Sequence, residues 1–323
     1  MKPEENINFS SRSKAAVAAT LAAVFLISSA LAQKEQVIKL NTDLVVIDVT
    51  VTDKDGNFIR NLKEEDFTLY EDDQPQRIDF FEMNEEASMT RPLAVVFAFD
   101  ISGSITSEEV IKQREATEHF MKLIRPESVF AIVAFNNEIR VLQDFTSDAK
   151  RIRAAFDKIK DVGGSSRIFG SIDRSVSMLR RAPRYKSGRR LRRVVVVLSD
   201  GFDNIDATDQ TELIRRANET EVTVYSITLP SYLPGPIANQ RSMTLLDVSR
   251  IVPMTGGKDF SADTKDFTPV FKSIAEEIRA SYTLAYYPPE QSRRDGRAHQ
   301  LRVESSRSGA IVRASRATYQ APK

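Results

Sequence analysis

Asp100, Ser102 and Ser104 follow the apolar run 93–99 (LAVVFAF), so one carboxylate and two hydroxyls gather where a hydrophobic segment ends. A second apolar run, 194–198 (VVVVL), ends in Ser199, Asp200 and Gly201 and offers a second carboxylate. Apolar runs without alternation read as strands covered on both faces, and the loops at the carboxyl ends of such strands hold ligands in doubly wound α/β sheets. Aspartate and hydroxyl oxygens are hard donors. With no imidazole or thiolate near either loop, the set suits Mg²⁺, with Mn²⁺ or Ca²⁺ as alternatives, and not zinc or copper. The competing reading of Asp100, Ser102 and Ser104 is a turn with a helix cap, for which Asp and Ser are common residues.

The elements that must position these residues alternate as α/β units require. Thr106 and Glu109 form a capping-box pattern ahead of a helix over 107–124 that buries Val110, Phe120, Leu123 and Ile124. Segments 128–135 and 139–142 flank Asn136-Asn137 as a hairpin, giving one antiparallel edge, and 222–228 reads as a further strand. Crossovers of this length favour a mostly parallel sheet. Before this region, Val45, Ile47, Val49 and Val51 alternate as a strand, Asp55-Gly56 supplies a turn, and two strands, around Phe67, Leu69 and Tyr70 and around Ile78, Phe80 and Phe81, flank the Asp72-Asp73 turn. The tail offers strands at 282–287, 300–304 and 310–313. A few-stranded sheet needs a covering partner, so the amino- and carboxyl-terminal strands are expected to pair into a small β-sandwich. The expected division is 1–32 a signal peptide, 33–88 an amino-terminal β unit, 89–280 the α/β domain and 281–323 the carboxyl-terminal strands.

The stretches FAFDISGSI, GGSSRIFGSI and VVVVLSDGFDN resemble the three-part metal-ion-dependent adhesion site of von Willebrand factor A-type (VWA) domains over roughly 92–280. The resemblance implies a Rossmann-like, doubly wound α/β fold and a metal bound by Asp100, Ser102, Ser104 and Asp200. Aligning IFGSI with the family's usual I-Y-D-A-L puts Ser166 where the family has threonine, with Ser165 one residue off; Ser165 and Asp203 are then second-shell candidates. Serine keeps the hydroxyl and loses the methyl that stiffens the rotamer. The resemblance further implies a non-catalytic adhesion module in which a protein ligand presents an Asp or Glu carboxylate to complete the coordination. The wider chain is similar to secreted bacterial "VWFA-related" proteins through VVIDVTVTDKDGNFIRNLKEEDFTLYEDDQPQRIDFF, LQDFTSDAKRIRAAFD and SYTLAYYPP. Two other readings compete: a structural envelope protein whose metal site is degenerate, and a metal-assisted hydrolase, which lacks an obvious general base because no His or Glu sits in the three loops.

The 323 residues suffice for one α/β domain and a smaller companion, and the formal net charge of +1 gives no global attraction to nucleic acid or to membrane surfaces. Lys2, Arg12 and Lys14 precede the apolar run 15–27, and Ala30-Leu31-Ala32 fits a peptidase site before Gln33, so export to the periplasm, cell surface or medium is expected. Membrane association is expected only if this segment stays uncleaved. An exported chain with zero cysteines is stabilised without disulfides. Its two histidines, His119 in a helix and His299 in a polar tail, read as structural or solvated. Eight cations lie between Arg180 and Arg193. They read as a solvated loop that discourages edge aggregation, with a patch for lipid head groups, polyanionic glycan or an acidic protein as the competing reading. Asp203 and Asp206 read as solvated loop acids or groups behind the ligands, and Tyr286-Tyr287-Pro288-Pro289 as core packing that ends at proline.

Overall fold

The computed structural model describes residues 44–83, 91–160, 162–200, 207–232, 241–243, 248, 250–262 and 265–322. The signal segment, Asp203 and Asp206 lie outside these residues. Among the described residues no helix is long and apolar enough to cross a membrane.

The chain opens with β1 (Val45–Thr52), β2 (Phe67–Glu71), β3 (Gln74–Gln76) and β4 (Phe80–Met83). The α/β part follows as β5 (Leu93–Asp100), α1 (Ser107–Leu123), β6 (Val129–Phe135), β7 (Ile139–Thr146), α2 (Ala149–Phe156) and α3 (Ile168–Arg181). A two-residue hairpin pair, β8 (Tyr185–Lys186) and β9 (Arg189–Arg190), leads into β10 (Arg192–Ser199), α4 (Gln210–Thr220) and β11 (Val222–Thr228). Then come the separate antiparallel pair β12 (Pro230–Tyr232) and β13 (Arg241–Met243), α5 (Ile251–Met254), β14 (Asp259–Ser261) and α6 (Thr268–Arg279). The tail supplies β15 (Ser281–Tyr286), β16 (Ala298–Ser305), β17 (Ile311–Ala314) and β18 (Thr318–Gln320).

Six strands form a sheet in the order β14-β11-β10-β5-β6-β7, parallel throughout except for the hairpin edge β6/β7. The unalternating sequence of β5 is explained by burial on both faces. Leu93, Val95, Phe97 and Phe99 join one core with α1, α2 and α6, whereas Ala94, Val96 and Ala98 join the other with α3, α4 and α5. Phe97 anchors the first core, with ring centroids 5.5 Å from Phe120 and 5.6 Å from Phe271. The α1 capping box is present, as Thr106 Oγ1 accepts from the Glu109 amide and the Glu109 carboxylate accepts from the Thr106 amide.

The terminal strands form two antiparallel sheets, β17-β1-β15-β4 and β18-β16-β2-β3, around a shared core of Ile47, Val49, Leu69, Tyr282 and Leu284. Tyr286 is buried in that core and Tyr287 is exposed. One strand was not expected, β3, which lies between the two that were. The Asp72-Asp73 turn, with φ of 48° and 62°, returns β2 to β3, and after Ile78 the chain crosses to the other sheet as β4 beside β15. Leu123 is half-buried, not buried as expected.

The basic run is solvated only in its first part, where Arg180, Arg181, Arg184 and Arg189 are exposed. Arg192 and Arg193 are buried, and Arg192 binds Asp48 of β1 at 3.4 Å, Ser281 Oγ at 2.9 Å, Tyr225 Oη at 3.3 Å and the Ile278 carbonyl at 3.3 Å. Asp48 also accepts from Arg91 at 2.9 Å and from Thr283 Oγ1 at 2.9 Å. Arg190 pairs with Glu221. Arg192, at the start of β10, thereby joins β1 and β15 of the sandwich to the parallel sheet, whereas Arg193 donates to the Thr220 carbonyl at the end of α4.

Candidate functional site

β5 lies between β10 and β6, and the chain leaving β5 turns onto the face covered by α1 whereas the chain leaving β10 leads to α4 on the opposite face. The order of the sheet therefore reverses between β5 and β10, and the carboxyl ends of strands at such a reversal are where doubly wound sheets bind ligands. Because Leu198 pairs with Phe99, Asp100 and Ser199 leave the sheet side by side.

Asp100 is fully buried, and its Oδ2 accepts from Ser166 Oγ at 2.8 Å and from Ser199 Oγ at 2.5 Å. Its Oδ1 accepts from the Ser102 amide at 2.8 Å, while the Ser102 and Ser104 hydroxyls stand 3.4 Å apart. Asp200, the residue after β10, is also buried. Burial pushes the Asp100 carboxyl above the usual carboxylate range, and the hydrogen bonds from Ser102, Ser199 and Ser166 only partly offset it. Among the described residues no Lys or Arg pairs with Asp100. Among the described residues, hydroxyls and one amide surround this buried carboxyl and no countercharge does, and ionising such a group costs several kcal/mol, in rough terms, unless a cation compensates it. A divalent cation fits this donor set of hard oxygens.

The loop 163–166 is held from two sides. The Gly163 amide donates to the Ile101 carbonyl at 2.8 Å and the Gly103 amide to the Gly164 carbonyl at 3.1 Å. Asn136 Nδ2 donates to the Gly163 carbonyl at 2.8 Å, and the Ser165 amide donates to Asn137 Oδ1 at 2.7 Å. Gly164 has φ +86°, and a Cβ there would lie 2.8 Å from Asn137 Oδ1, so the close approach of the β6–β7 turn requires glycine. The structure thus brings Asp100, Ser102, Ser104 and Ser166 together and turns Ser165 toward the hairpin by its backbone. Ser199, Asn136 and Asn137 were not among the sequence candidates. Ser199 was visible as the residue before Asp200; the asparagines read only as a turn.

Residues 95–202, which contain all five candidate ligands, match the family model of the von Willebrand factor type A domain. The chain carries a VWA domain. Solved structures to which it is similar include a von Willebrand factor type A protein from Catenulispora acidiphila, with 12% identity and TM-score 0.48 over 80% of this chain and 74% of that one. An aerotolerance-related membrane protein from Bacteroides fragilis is similar at 16% identity and TM-score 0.44, over 58% of this chain and 98% of that one. Proximal thread matrix protein 1 from the mussel byssus, with a zinc-occupied MIDAS motif, is similar at 13% identity and TM-score 0.48, over 64% of this chain and 49% of that one.

Outside the VWA domain, His299 is not in a solvated tail. It is buried on β16, where Nδ1 lies 2.8 Å from Asp72 Oδ2 and Nε2 lies 3.1 Å from Asp295 Oδ1. Burial disfavours the charged ring, but the hydrogen bonds to Asp72 and Asp295 outweigh it and raise the pKa. The signal that could have found this group is the Asp295-x-x-x-His299 spacing beside a strand; Asp72 reaches it only through the pairing of β2 with β16.

Proposed function

We propose that this chain is an exported, non-catalytic protein-binding module of the cell envelope whose VWA domain uses a divalent cation to capture an acidic side chain of a partner. The observation that carries the reading is the buried Asp100 carboxylate, ringed by the hydroxyls of Ser166 and Ser199 and by the Ser102 amide, with no Lys or Arg paired to it among the described residues. Asp100 would be the direct anionic ligand, Ser102 and Ser104 neutral ligands, and Ser166 and Asp200 direct or water-mediated ligands. Mg²⁺ is favoured over Ca²⁺ by the small number of carboxylates. When bound, the cation supplies a Lewis-acidic centre that prefers a carboxylate in its remaining coordination position. The chain's own residues do the rest: Asn136 and Asn137 fix the 163–166 loop beside Asp100.

The reading is tested by immobilising the protein and measuring retention of envelope proteins with Mg²⁺ and with EDTA, alongside Asp100→Asn. Retention that needs the cation and disappears in the variant supports it. Retention that survives both changes would transfer binding to the β-sandwich and support a structural protein with a degenerate site.

A further inference from the structure

The sandwich holds a second cluster of ligating groups, separate from the group around Asp100 in the parallel sheet. Glu71 ends β2, Asp72 begins the left-handed turn after it, and His299 sits on β16, which pairs with β2. His299 Nδ1 lies 2.8 Å from Asp72 Oδ2 and 3.6 Å from Glu71 Oε1, and one ligand atom from each residue falls within 4.8 Å of the others. Ligands at tetrahedral zinc distances of about 2.0–2.2 Å stand roughly 3.3 Å apart, between the two separations seen here.

Three features distinguish this group from an ordinary buried histidine. The far nitrogen of the ring, Nε2, is held by Asp295 at 3.1 Å, which is the carboxylate–histidine arrangement that orients metal-binding imidazoles. Glu71 is 3% exposed, and its other oxygen, Oε2, accepts from the Tyr286 hydroxyl at 2.8 Å, so Oε1 is left facing the ring with only a long 3.4 Å bond from Tyr319. Finally, Glu71, Asp72 and Asp295 put three carboxylates around one imidazole, and among the described residues no Lys or Arg lies within ion-pair distance of any of them. Even a protonated ring leaves the cluster short of positive charge, and two of its members, Glu71 and His299, are buried.

We propose that Glu71, Asp72 and His299 form a second divalent-metal site, suited to a borderline ion such as Zn²⁺, with Asp295 as the outer carboxylate that orients the imidazole. One nitrogen and two carboxylate oxygens match zinc ligation better than the all-oxygen set around Asp100 does, so the two sites should select different cations. Binding at Nδ1 needs that nitrogen unprotonated, so any proton it carries is released to solvent as the metal enters. Asp72 is half-exposed, giving the ion a path from solvent.

The test is equilibrium dialysis of Zn²⁺ against purified, EDTA-treated protein carrying Asp100→Asn, which silences the other proposed site. The expected result is one zinc retained per chain, lost on adding His299→Gln and weakened about 10–100-fold by Asp295→Asn, as for other outer-shell carboxylates. Substituting Co²⁺ should give the visible absorption of a four-coordinate ion. If His299→Gln fails to fold, Asp72→Asn at the half-exposed ligand replaces it, with the same expected loss. No stoichiometric zinc in the Asp100→Asn protein, or zinc unaffected by the His299 or Asp72 substitutions, would overturn the proposal and leave the cluster as a proton-held clamp.

Discussion

Replacing Asp48 with alanine removes the anion shared by Arg91 and Arg192. Both guanidinium groups are largely buried, with side-chain exposures of 14% and 6%, and neither can swing into solvent without unpacking β1 or β10 from its neighbours. Arg192 would keep Ser281, Tyr225 and the Ile278 carbonyl, all neutral partners, and Arg91 would keep the Arg190 carbonyl at 3.3 Å. Breaking a buried pair by deleting one partner costs about 3–5 kcal/mol because a charge is left uncompensated. At about 2–4 °C per kcal/mol for a domain of this size class, the melting temperature should fall by roughly 6–20 °C. Calorimetry or a circular-dichroism melt of Asp48→Ala reads this directly. Asp48→Asn, which retains a group for Thr283 to donate to, should fall by less than Asp48→Ala. A loss below about 1 kcal/mol, the size of an exposed ion pair, would refute the claim that this network fastens the sandwich to the parallel sheet.

Three further outcomes follow from the same geometry. Burial raises the Asp48 pKa, but Arg91, Arg192 and the Thr283 hydroxyl hold it below the ordinary value. Its contribution is therefore present above the unfolded value near 3.9 and is lost as pH falls through the folded one, so an acid melt series should converge for wild type and Asp48→Asn only at strongly acidic pH. Gly257→Ala would place a Cβ 1.8 Å from the Val224 carbonyl, and soluble yield should collapse, whereas Gly56→Ala, with open space around it, should cost about 1–2 kcal/mol for its positive φ alone. Ser166→Ala should weaken the cation response in a thermal melt and Ser165→Ala should leave it unchanged, since Ser165 contacts Asn137 through its backbone amide.

Much of the parallel sheet was legible because its strands are buried on both faces and must be apolar at every position, which made 93–99 and 194–198 stand out. The helix after β5 was legible through Thr106 and Glu109, a local pair. The pairing of terminal strands followed from counting strands too few to bury themselves. What stayed hidden depended on partners distant in the chain. Arg192 reads as one more cation in a basic run until Asp48, on β1, is brought to it by the packing of the sandwich on β10. His299 reads as a tail residue until β2 pairs with β16 and sets Asp72 against its ring. Strand β3 was missed because Gln74, Pro75 and Gln76 carry no hydrophobic pattern and are strand only through their pairing with β2. Ser199 was missed as a partner of Asp100 because strand register, not spacing, places it there.

Asp100 is proposed as the anionic ligand of a divalent cation, and a thermal melt of wild type and Asp100→Asn in EDTA and in saturating Mg²⁺ decides whether it is. At about 100 times the dissociation constant, a bound ion stabilises the wild type by about 2.7 kcal/mol, and the variant should show no such rise. In EDTA the variant should melt at or above the wild type, because it no longer buries an uncompensated charge. A wild type indifferent to Mg²⁺, Mn²⁺ and Ca²⁺, together with a variant that is less stable in EDTA, would contradict the account and make Asp100 a structural turn residue.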